Sequence, residues 1–294
     1  MQANKHTPQS SPELRLGKGH STDYGRRYEG VIAVEDREVP VTWREAPKDR
    51  QSGKAYALAT GWLGRKSSMR KVAHAAARAG HSSLAFDYTN TGTEGALRRN
   101  AADFAAAITA LPTDRRYAIA LSMSGGIMPD ALVQAPVKVE AATAVAAFGY
   151  IPGRHSLGEA IQHLGATAPE LVTLGWKAPA TAARLGAVTF LHSFGRGPAI
   201  GAEFEEMREG IEPTNLHAVT SSPDSPVMRF LYGSSDRLFP AAAQAEAGNR
   251  LPFHHVAMYQ GGHLALVHDV GLSEHIFELD SREPVPEEPW AIAA

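Results

Sequence analysis

The stretch Tyr117-Ala-Ile-Ala-Leu-Ser-Met-Ser-Gly-Gly126 is an apolar strand that runs directly into a serine. Small residues, Ala120 and Ser124, stand two positions before and two positions after Ser122. This spacing is typical of a nucleophile elbow, a sharp strand-to-helix turn that exposes a serine hydroxyl and has room only for small neighbours. Glycine is usual at both flanking positions, so the motif is a variant. Ser122 is the predicted nucleophile because it follows the strand directly; Ser124 is a second candidate, and a serine here could also merely cap the next helix.

Two later strand ends supply the residue types that a serine nucleophile needs. The apolar segment Val227-Met-Arg-Phe-Leu-Tyr-Gly-Ser-Ser-Asp236 ends in an aspartate, and His255-Val-Ala-Met-Tyr-Gln-Gly-Gly-His263 ends in a histidine. The chain order serine, acid, histidine is that of the α/β-hydrolase fold, in which each group follows the carboxyl end of a strand. The sequence therefore predicts a catalytic triad of Ser122, Asp236 and His263.

The predicted roles follow from the chemistry of these groups. His263 would accept the Ser122 proton and return it to the leaving group, and Asp236 would fix the imidazole tautomer. An oxyanion hole needs two backbone N–H groups, one after the nucleophile and one after an early strand. Met123 is the first predicted donor. Trp62, after the strand Tyr56-Ala-Leu-Ala-Thr-Gly-Trp62, is the second.

The rest of the chain alternates strands and helices, which predicts an α/β protein with a mostly parallel, doubly wound sheet. The predicted strands cover about 55–60, 83–87, 116–121 and 141–148, and the predicted helices cover about 67–79, 97–111 and 123–134. Pro129 lies inside the last helix, which we expect to be short or kinked. We divide the chain into a flexible N-terminal arm (1–27), the first part of the hydrolase core (28–150, opening with a hairpin around residues 35–37), a helical cap insertion (151–226), the second part of the core (227–280) and an irregular tail (281–294).

The cap insertion is predicted to roof the active site, since ligand pockets are mostly apolar clefts. Its apolar residues are either candidates for an acyl-binding tunnel or simply the contacts between cap and sheet. The predicted substrate-binding residues are Leu164, Leu171, Leu174, Trp176 and Leu185.

Composition favours one large globular domain. Of 294 residues, 44% are hydrophobic and 20% are charged, and the formal net charge of −2 gives no general attraction to nucleic acid. The absence of cysteine excludes disulfides and thiol catalysis. The first ten residues contain no apolar export signal and no run is long enough for a membrane span, so we expect a cytoplasmic protein.

Neither a cofactor nor a metal is predicted. The segment 190–201 carries glycines spaced G-x-G-x-x-x-G, which is not the dinucleotide-binding spacing. Adjacent residues such as His254 and His255 rarely have metal-ligand geometry, and His263 has a role in the triad.

Three segments resemble the acyltransferase, or acyl-carrier-protein thioesterase, of the bacterial luminescence fatty-acid reductase complex. They are the elbow 120–124, the oxyanion segment Ala-Thr-Gly-Trp-Leu-Gly-Arg-Lys at 59–66, and Val41-Thr-Trp-Arg-Glu-Ala-Pro-Lys-Asp49. The likeness covers residues 28 to 150 and resumes around Asp236 and His263, with departures at Leu121 and at 125–126. It implies an acyl-thioester hydrolase or acyltransferase that works through an acyl-serine intermediate in fatty-acid metabolism. Alternatives are a carboxylesterase and a noncatalytic acyl-binding protein on the same scaffold.

Basic residues follow the predicted oxyanion segment. A partner with an acidic surface, such as an acyl carrier protein, could be steered by them, although exposed basic residues on a solvated helix face are the simpler interpretation. The predicted docking residues are Arg65, Lys66, Arg70 and Lys71.

Overall fold

The structure is a computed structural model that describes residues 12–34, 37–61, 64–89, 95–147, 206, 214–221 and 224–281. Most of the predicted cap insertion, the first eleven residues and all but residue 281 of the predicted tail lie outside these ranges.

Ten strands of the described ranges form one sheet. Their order is β1-β3-β4-β6-β5-β7-β8-β9-β10, and β2 also pairs with β3. In this order, every neighbouring pair from β6 through β5, β7, β8 and β9 to β10 runs parallel. The pairs β1–β3, β2–β3, β3–β4 and β4–β6 are antiparallel. The strands are β1 Glu13–Leu16, β2 His20–Thr22, β3 Gly25–Val34, β4 Arg37–Glu45, β5 Lys54–Ala59, β6 Ser82–Phe86, β7 Arg115–Leu121, β8 Ala141–Val145, β9 Val227–Gly233 and β10 His255–Tyr259.

Helices cover both faces of this sheet, and this explains why its central strands consist mainly of buried apolar residues. All residues of β5 and β8 are buried, as expected for parallel strands that are packed on both sides. Two 3₁₀ helices cover Lys48–Arg50 and Lys66–Met69. The α-helices are α1 Arg70–Arg78, α2 Ala96–Thr109, α3 Met123–Gln134, α4 Thr214–Thr220, α5 Ala241–Arg250, α6 Ala265–His268 and α7 Val270–Leu279.

Two apolar clusters, formed by side chains of the helices and of the strands, fill the space between the helices and the sheet. Phe86, Phe104 and Phe230 belong to the cluster under α2 to α5, and Tyr56 and Phe277 belong to the cluster under α1, α6 and α7. The prediction of a mostly parallel, doubly wound α/β sheet is therefore confirmed.

The chain changes direction within the sheet at β5. From β5 it crosses to β6 on one side, and after α2 it returns to β7 on the other side of β5. Crevices at such a switch point, outside the carboxyl ends of the strands, are where open α/β sheets bind ligands. The predicted nucleophile follows β7, so the topology places it at this crevice.

One expectation about local structure is wrong. Residues 13–16 and 20–22 of the predicted flexible arm form β1 and β2, because backbone pairing with β3 orders a polar segment whose Leu14 packs against the core. Helix α3 has the predicted bounds: it runs from Met123 through Pro129 to Gln134 and is not short. The hairpin predicted around residues 35–37 is present as β3 and β4.

Candidate active site

Ser122 lies on the turn between β7 and α3 in a backbone conformation that few residues adopt. Its φ of 55° and ψ of −120° depart from both strand and helix geometry. The turn is held on both sides: the Ser122 N–H donates to the Val145 carbonyl at 2.9 Å, and the Ser122 carbonyl accepts from Gly125 N–H at 3.0 Å. Ser122 is 8% exposed. This strained turn is the geometry that a nucleophile elbow requires.

The residues around the turn are small because the backbone segments approach closely. A Cβ atom at Gly125 would lie 2.6 Å from the Cβ atom of Ala147, so a side chain there would push α3 away from the end of β8. Ala120 and Ser124, the two small flanking residues, are fully buried.

Ser124 is occupied by structural contacts. Its hydroxyl donates to the Thr60 carbonyl and lies 2.5 Å from the Tyr88 hydroxyl. Burial raises the pKa of Tyr88, so this phenol stays protonated. These contacts join the loops that follow β5 and β6 to the first turn of α3, and they leave Ser122 as the serine on the strained turn.

Asp236 and His263 are in direct contact. Nδ1 of His263 lies 3.0 Å from Oδ2 of Asp236, and both side chains are buried. The other carboxylate oxygen, Oδ1, accepts from the backbone N–H groups of Leu238 and Phe239 at 2.9 Å each. Gln244 Nε2 approaches Oδ2 at 3.4 Å and donates to the Phe239 carbonyl at 2.5 Å. The carboxylate is thus fixed and can orient the imidazole tautomer.

The loops that carry this pair are bound to each other. Ser235 N–H donates to the Gly261 carbonyl at 3.0 Å, and Ser234 N–H donates to the Tyr259 carbonyl at 2.9 Å. The ring of Phe239 meets the His263 ring edge-on, with centroids 5.1 Å apart. The imidazole is therefore held by packing as well as by its hydrogen bond.

The loop after β5 lies directly against the serine. A Cβ atom at Gly61 would be 2.9 Å from the Ser122 Cβ and 3.5 Å from its Oγ. Gly64 N–H donates to the Gly61 carbonyl at 3.0 Å and closes this loop into a turn. Met123 is the first residue of α3, where backbone N–H groups have no partner within the helix. Trp62, the second predicted donor, lies outside the described residues.

Comparison with known proteins agrees with this architecture. Residues 53–274 match the family model described as "Alpha/beta hydrolase family". The chain belongs to the alpha/beta hydrolase family. A search of curated proteins finds no match to this hydrolase.

Solved structures similar to this alpha/beta hydrolase share little sequence with it. A hydrolase from Oleispira antarctica has a TM-score of 0.62 at 13% identity, with coverage of 83% of this chain and 94% of that one. The thioesterase domain from the curacin biosynthetic pathway has a TM-score of 0.59 at 14% identity, covering 85% and 99%. An N-acyl homoserine lactone degrading enzyme has a TM-score of 0.62 at 13% identity, covering 84% and 98%. At these identities the likeness shows the shared fold.

The five predicted tunnel residues of the hydrolase, from Leu164 to Leu185, lie outside the described residues. Glu206, which falls in the predicted cap, is described. Its carboxylate accepts from the N–H groups of Gly95, Ala96 at 3.1 Å and Leu97 at 2.9 Å, at the start of α2. The predicted cap thus contacts the core at this helix terminus.

The four predicted docking residues do not share one environment. Lys66 Nζ donates to Glu29 at 2.7 Å and to the Val41 carbonyl at 2.9 Å, and Lys71 Nζ donates to the His268 carbonyl at 3.2 Å. Arg65 and Arg70 are exposed.

The described ranges contain neither a metal-ligand cluster nor a membrane-spanning helix. No group of three or more His, Asp or Glu side chains there has the arrangement needed for a metal ion. His254 Nδ1 accepts from Met228 N–H at 3.0 Å. Across the same ranges, none of the helices combines the length and hydropathy needed to cross a bilayer.

Sequence reasoning missed three residues that support the site: Thr60, Tyr88 and Gln244. Thr60 is the last residue of one predicted strand and Tyr88 directly follows another, so both positions indicated the carboxyl edge of the sheet. Gln244 lies on α5, and no local sequence pattern connects it with Asp236.

Proposed function

We propose that the protein is a serine-dependent acyl hydrolase or acyltransferase that uses Ser122, His263 and Asp236 as its triad. The observation that carries the proposal is the φ of 55° at Ser122, on the turn from β7 to α3. A serine is held in this costly conformation where an exposed nucleophile is needed. The contact between His263 and Asp236 supplies a base whose tautomer is already set.

The proposed reaction begins when Ser122 Oγ attacks the acyl carbonyl carbon and His263 Nε2 takes the hydroxyl proton. Negative charge on the carbonyl oxygen is stabilised by the N–H groups of Met123 and Trp62. Collapse of this intermediate breaks the bond to the leaving group, which takes the proton from His263 and departs. Water or an acceptor alcohol then attacks the acyl-serine with His263 as base, and Ser122 is released.

A thioester is the substrate class that we propose, on the strength of the sequence resemblance to the luminescence thioesterase and acyltransferase. A thioester and an oxygen ester need the same nucleophile, base and oxyanion donors. Matched acyl thioesters and oxygen esters of graded chain length, assayed with the full chain, distinguish the two classes. A larger kcat/KM for the thioester at each length supports the proposal, and a larger kcat/KM for the oxygen ester identifies a carboxylesterase.

Covalent labelling with a fluorophosphonate tests the triad itself. We expect one labelled peptide, carrying the probe on Ser122, and no labelling of Ser122→Ala. Ser124→Ala is the matched control and should still be labelled, because Ser124 is occupied by Thr60 and Tyr88. Asp236→Asn should slow labelling by roughly 10³- to 10⁴-fold through loss of the tautomer.

Two labelling results would contradict the proposal. Modification of Ser124 would identify Ser124, and not Ser122, as the nucleophile. A protein that binds an acyl ligand but is labelled at neither serine would be a noncatalytic acyl-binding protein.

We also propose that an acyl carrier protein docks near the site. Arg65 and Arg70 are the exposed members of the predicted docking set, and they follow the loop that contacts Ser122. If docking is electrostatic, kcat/KM for the carrier-bound thioester should fall with ionic strength and with Arg65→Glu. An unchanged kcat/KM in both experiments excludes docking through these residues.

A further inference from the structure

A cavity of about 300 Å³ lies between β3 and β4 of the sheet and the segment where the second 3₁₀ helix passes into α1. Four cationic side chains line it, those of Arg27, Arg44, Lys66 and Arg70, against one carboxylate, that of Glu29. The volume lies at the lower end of the range for small-molecule sites. The cavity therefore combines the size of a small-ligand site with a strong excess of positive charge.

The single carboxylate is already engaged. Glu29 contacts Arg27, accepts from Lys66 Nζ at 2.7 Å, and accepts from the Thr42 hydroxyl at 3.0 Å. Glu29 thus partly neutralises Arg27 and Lys66. Within the described part of the chain, neither Arg44 nor Arg70 makes an ion pair.

Arg44 is the unusual member of the set, because it is a buried cation without a counter-charge in the described ranges. Arg44 is 4% exposed. Its Nη1 donates to the Thr22 hydroxyl at 2.9 Å and, at the longer distance of 3.4 Å, to the Tyr24 carbonyl. Its Nε is buried and has no hydrogen-bond partner. A buried charge of this kind is strongly unfavourable unless it is paired and hydrogen-bonded.

The positive charges around the cavity also contribute to lowering the pKa values of Arg44 and His74. Burial, followed by the charges of Arg27 and Arg70, lowers the pKa of Arg44 to about 10. Burial, followed by the charges of Arg44 and Arg70, lowers the pKa of His74 to about 4. His74 therefore stays neutral near pH 7 and adds no charge to the cavity.

We propose that this cavity binds the phosphate group of a small molecule, with the guanidinium groups of Arg44 and Arg70 as its main ligands. Guanidinium groups bind phosphate oxygens through paired, charge-assisted hydrogen bonds, and the Ser67 hydroxyl on the cavity wall is a further donor. A bound phosphate would supply the counter-charge that Arg44 lacks. This site lies outside the proposed triad and does not depend on it.

The depth of Arg44 favours a small ligand over an acidic protein surface. The cavity volume of about 300 Å³ is in the range of small-molecule sites, whereas an acidic protein surface would have to insert a side chain into it. Two sources carry this group: free phosphate or pyrophosphate, and a phosphate ester such as coenzyme A. Titration with each of them separates the sources.

Isothermal titration of the full chain with inorganic phosphate, pyrophosphate and coenzyme A, at constant ionic strength, tests the proposal. We expect saturable binding of at least one probe, weakened about tenfold or more in Arg70→Gln. Arg250→Gln is the matched control, because Arg250 is an exposed arginine paired with Glu246 on α5. Tighter binding of coenzyme A than of the inorganic anions identifies an ester, and the reverse identifies the free anion.

A second variant tests the buried cation. Arg44→Met should abolish the rise in Tm that the binding probe produces in the unaltered protein, while Arg250→Gln should keep it. Because Arg70 is exposed, Arg70→Gln provides the test even if Arg44→Met does not fold. No saturable binding of any probe, or equal affinity in Arg70→Gln and Arg250→Gln, would overturn the proposal.

Discussion

Ser122 and Ala146 are the two non-glycine residues with positive φ in the described ranges, at 55° and 46°. They follow neighbouring strands, β7 and β8, and Ala146 N–H donates to the Leu231 carbonyl on β9 at 2.8 Å. Each such conformation costs about 1–3 kcal/mol, and strain of this kind collects at functional sites. Two strained residues side by side at the carboxyl edge support the placement of the active site there.

Gly61→Ala should disable Ser122 without unfolding the protein. The added methyl would lie 2.9 Å from the Ser122 Cβ, so either the serine or the loop after β5 has to shift. A displacement near 1 Å can reduce reaction rates by about 100-fold. We expect a similar loss in the rate of fluorophosphonate labelling, with an unchanged circular dichroism spectrum.

The control for this change is Gly271→Ala, on the exposed first turn of α7. It should label at the normal rate. A normal rate in Gly61→Ala as well would mean that Gly61 does not approach Ser122 in solution.

Local sequence pattern predicts the central strands of the sheet but does not predict its N-terminal edge strands. Strands β5, β7 and β8 are apolar runs between helices, and their predicted bounds differ from the observed ones by at most three residues. β1 was missed because short polar strands have no periodicity of their own and are ordered by a partner. The supporting contacts of the site were missed for a similar reason: Tyr88 and Ser124 are 36 positions apart, and only the fold brings them together.

Glu206→Gln should destabilise the protein through helix α2. The carboxylate accepts three N–H groups at the start of this helix, where a negative charge also interacts favourably with the helix dipole. Loss of such a cap costs about 1–2 kcal/mol. Urea unfolding measures the change in the free energy of unfolding.

Glu246→Gln is the comparison variant for the contact between Glu206 and the start of α2, since Glu246 forms an exposed ion pair with Arg250. Exposed pairs of this type contribute about 0.5 kcal/mol or less. Equal free energies of unfolding for the two variants would argue against the capping contact.

For the molecule as a whole, we expect stability to fall as the pH drops from 6.5 towards 4. Burial, followed by the charges of Lys54 and Arg115, lowers the pKa of His81 to about 4, whereas an unfolded histidine titrates near 6.5. Between these values the unfolded chain binds a proton that the folded chain does not, so acid favours unfolding. Below pH 4 this contribution no longer changes.

His81→Phe should reduce this dependence on pH. Phenylalanine keeps a ring next to Tyr56 and Phe277, whose centroids lie 5.3 Å and 5.8 Å from that of His81, but it cannot be protonated. Urea unfolding at several pH values between 4 and 7.5 gives the slope of the free energy of unfolding against pH. An identical slope in His81→Phe and in the original protein would remove His81 as a cause; His20→Phe controls for loss of an exposed imidazole.

The two N-terminal strands have a consequence for how the molecule behaves in concentrated solution. β1 and β2 occupy the outer side of the ten-residue strand β3, and β1 itself is short and carries the charged pair Glu13 and Arg15. A chain shortened to begin at Gly25 would leave the N–H and C=O groups of β3 open to pairing with another chain. Its sedimentation coefficient should rise more steeply with concentration than that of the full chain; equal profiles would contradict this. We therefore expect β1 and β2 to limit self-association of the protein.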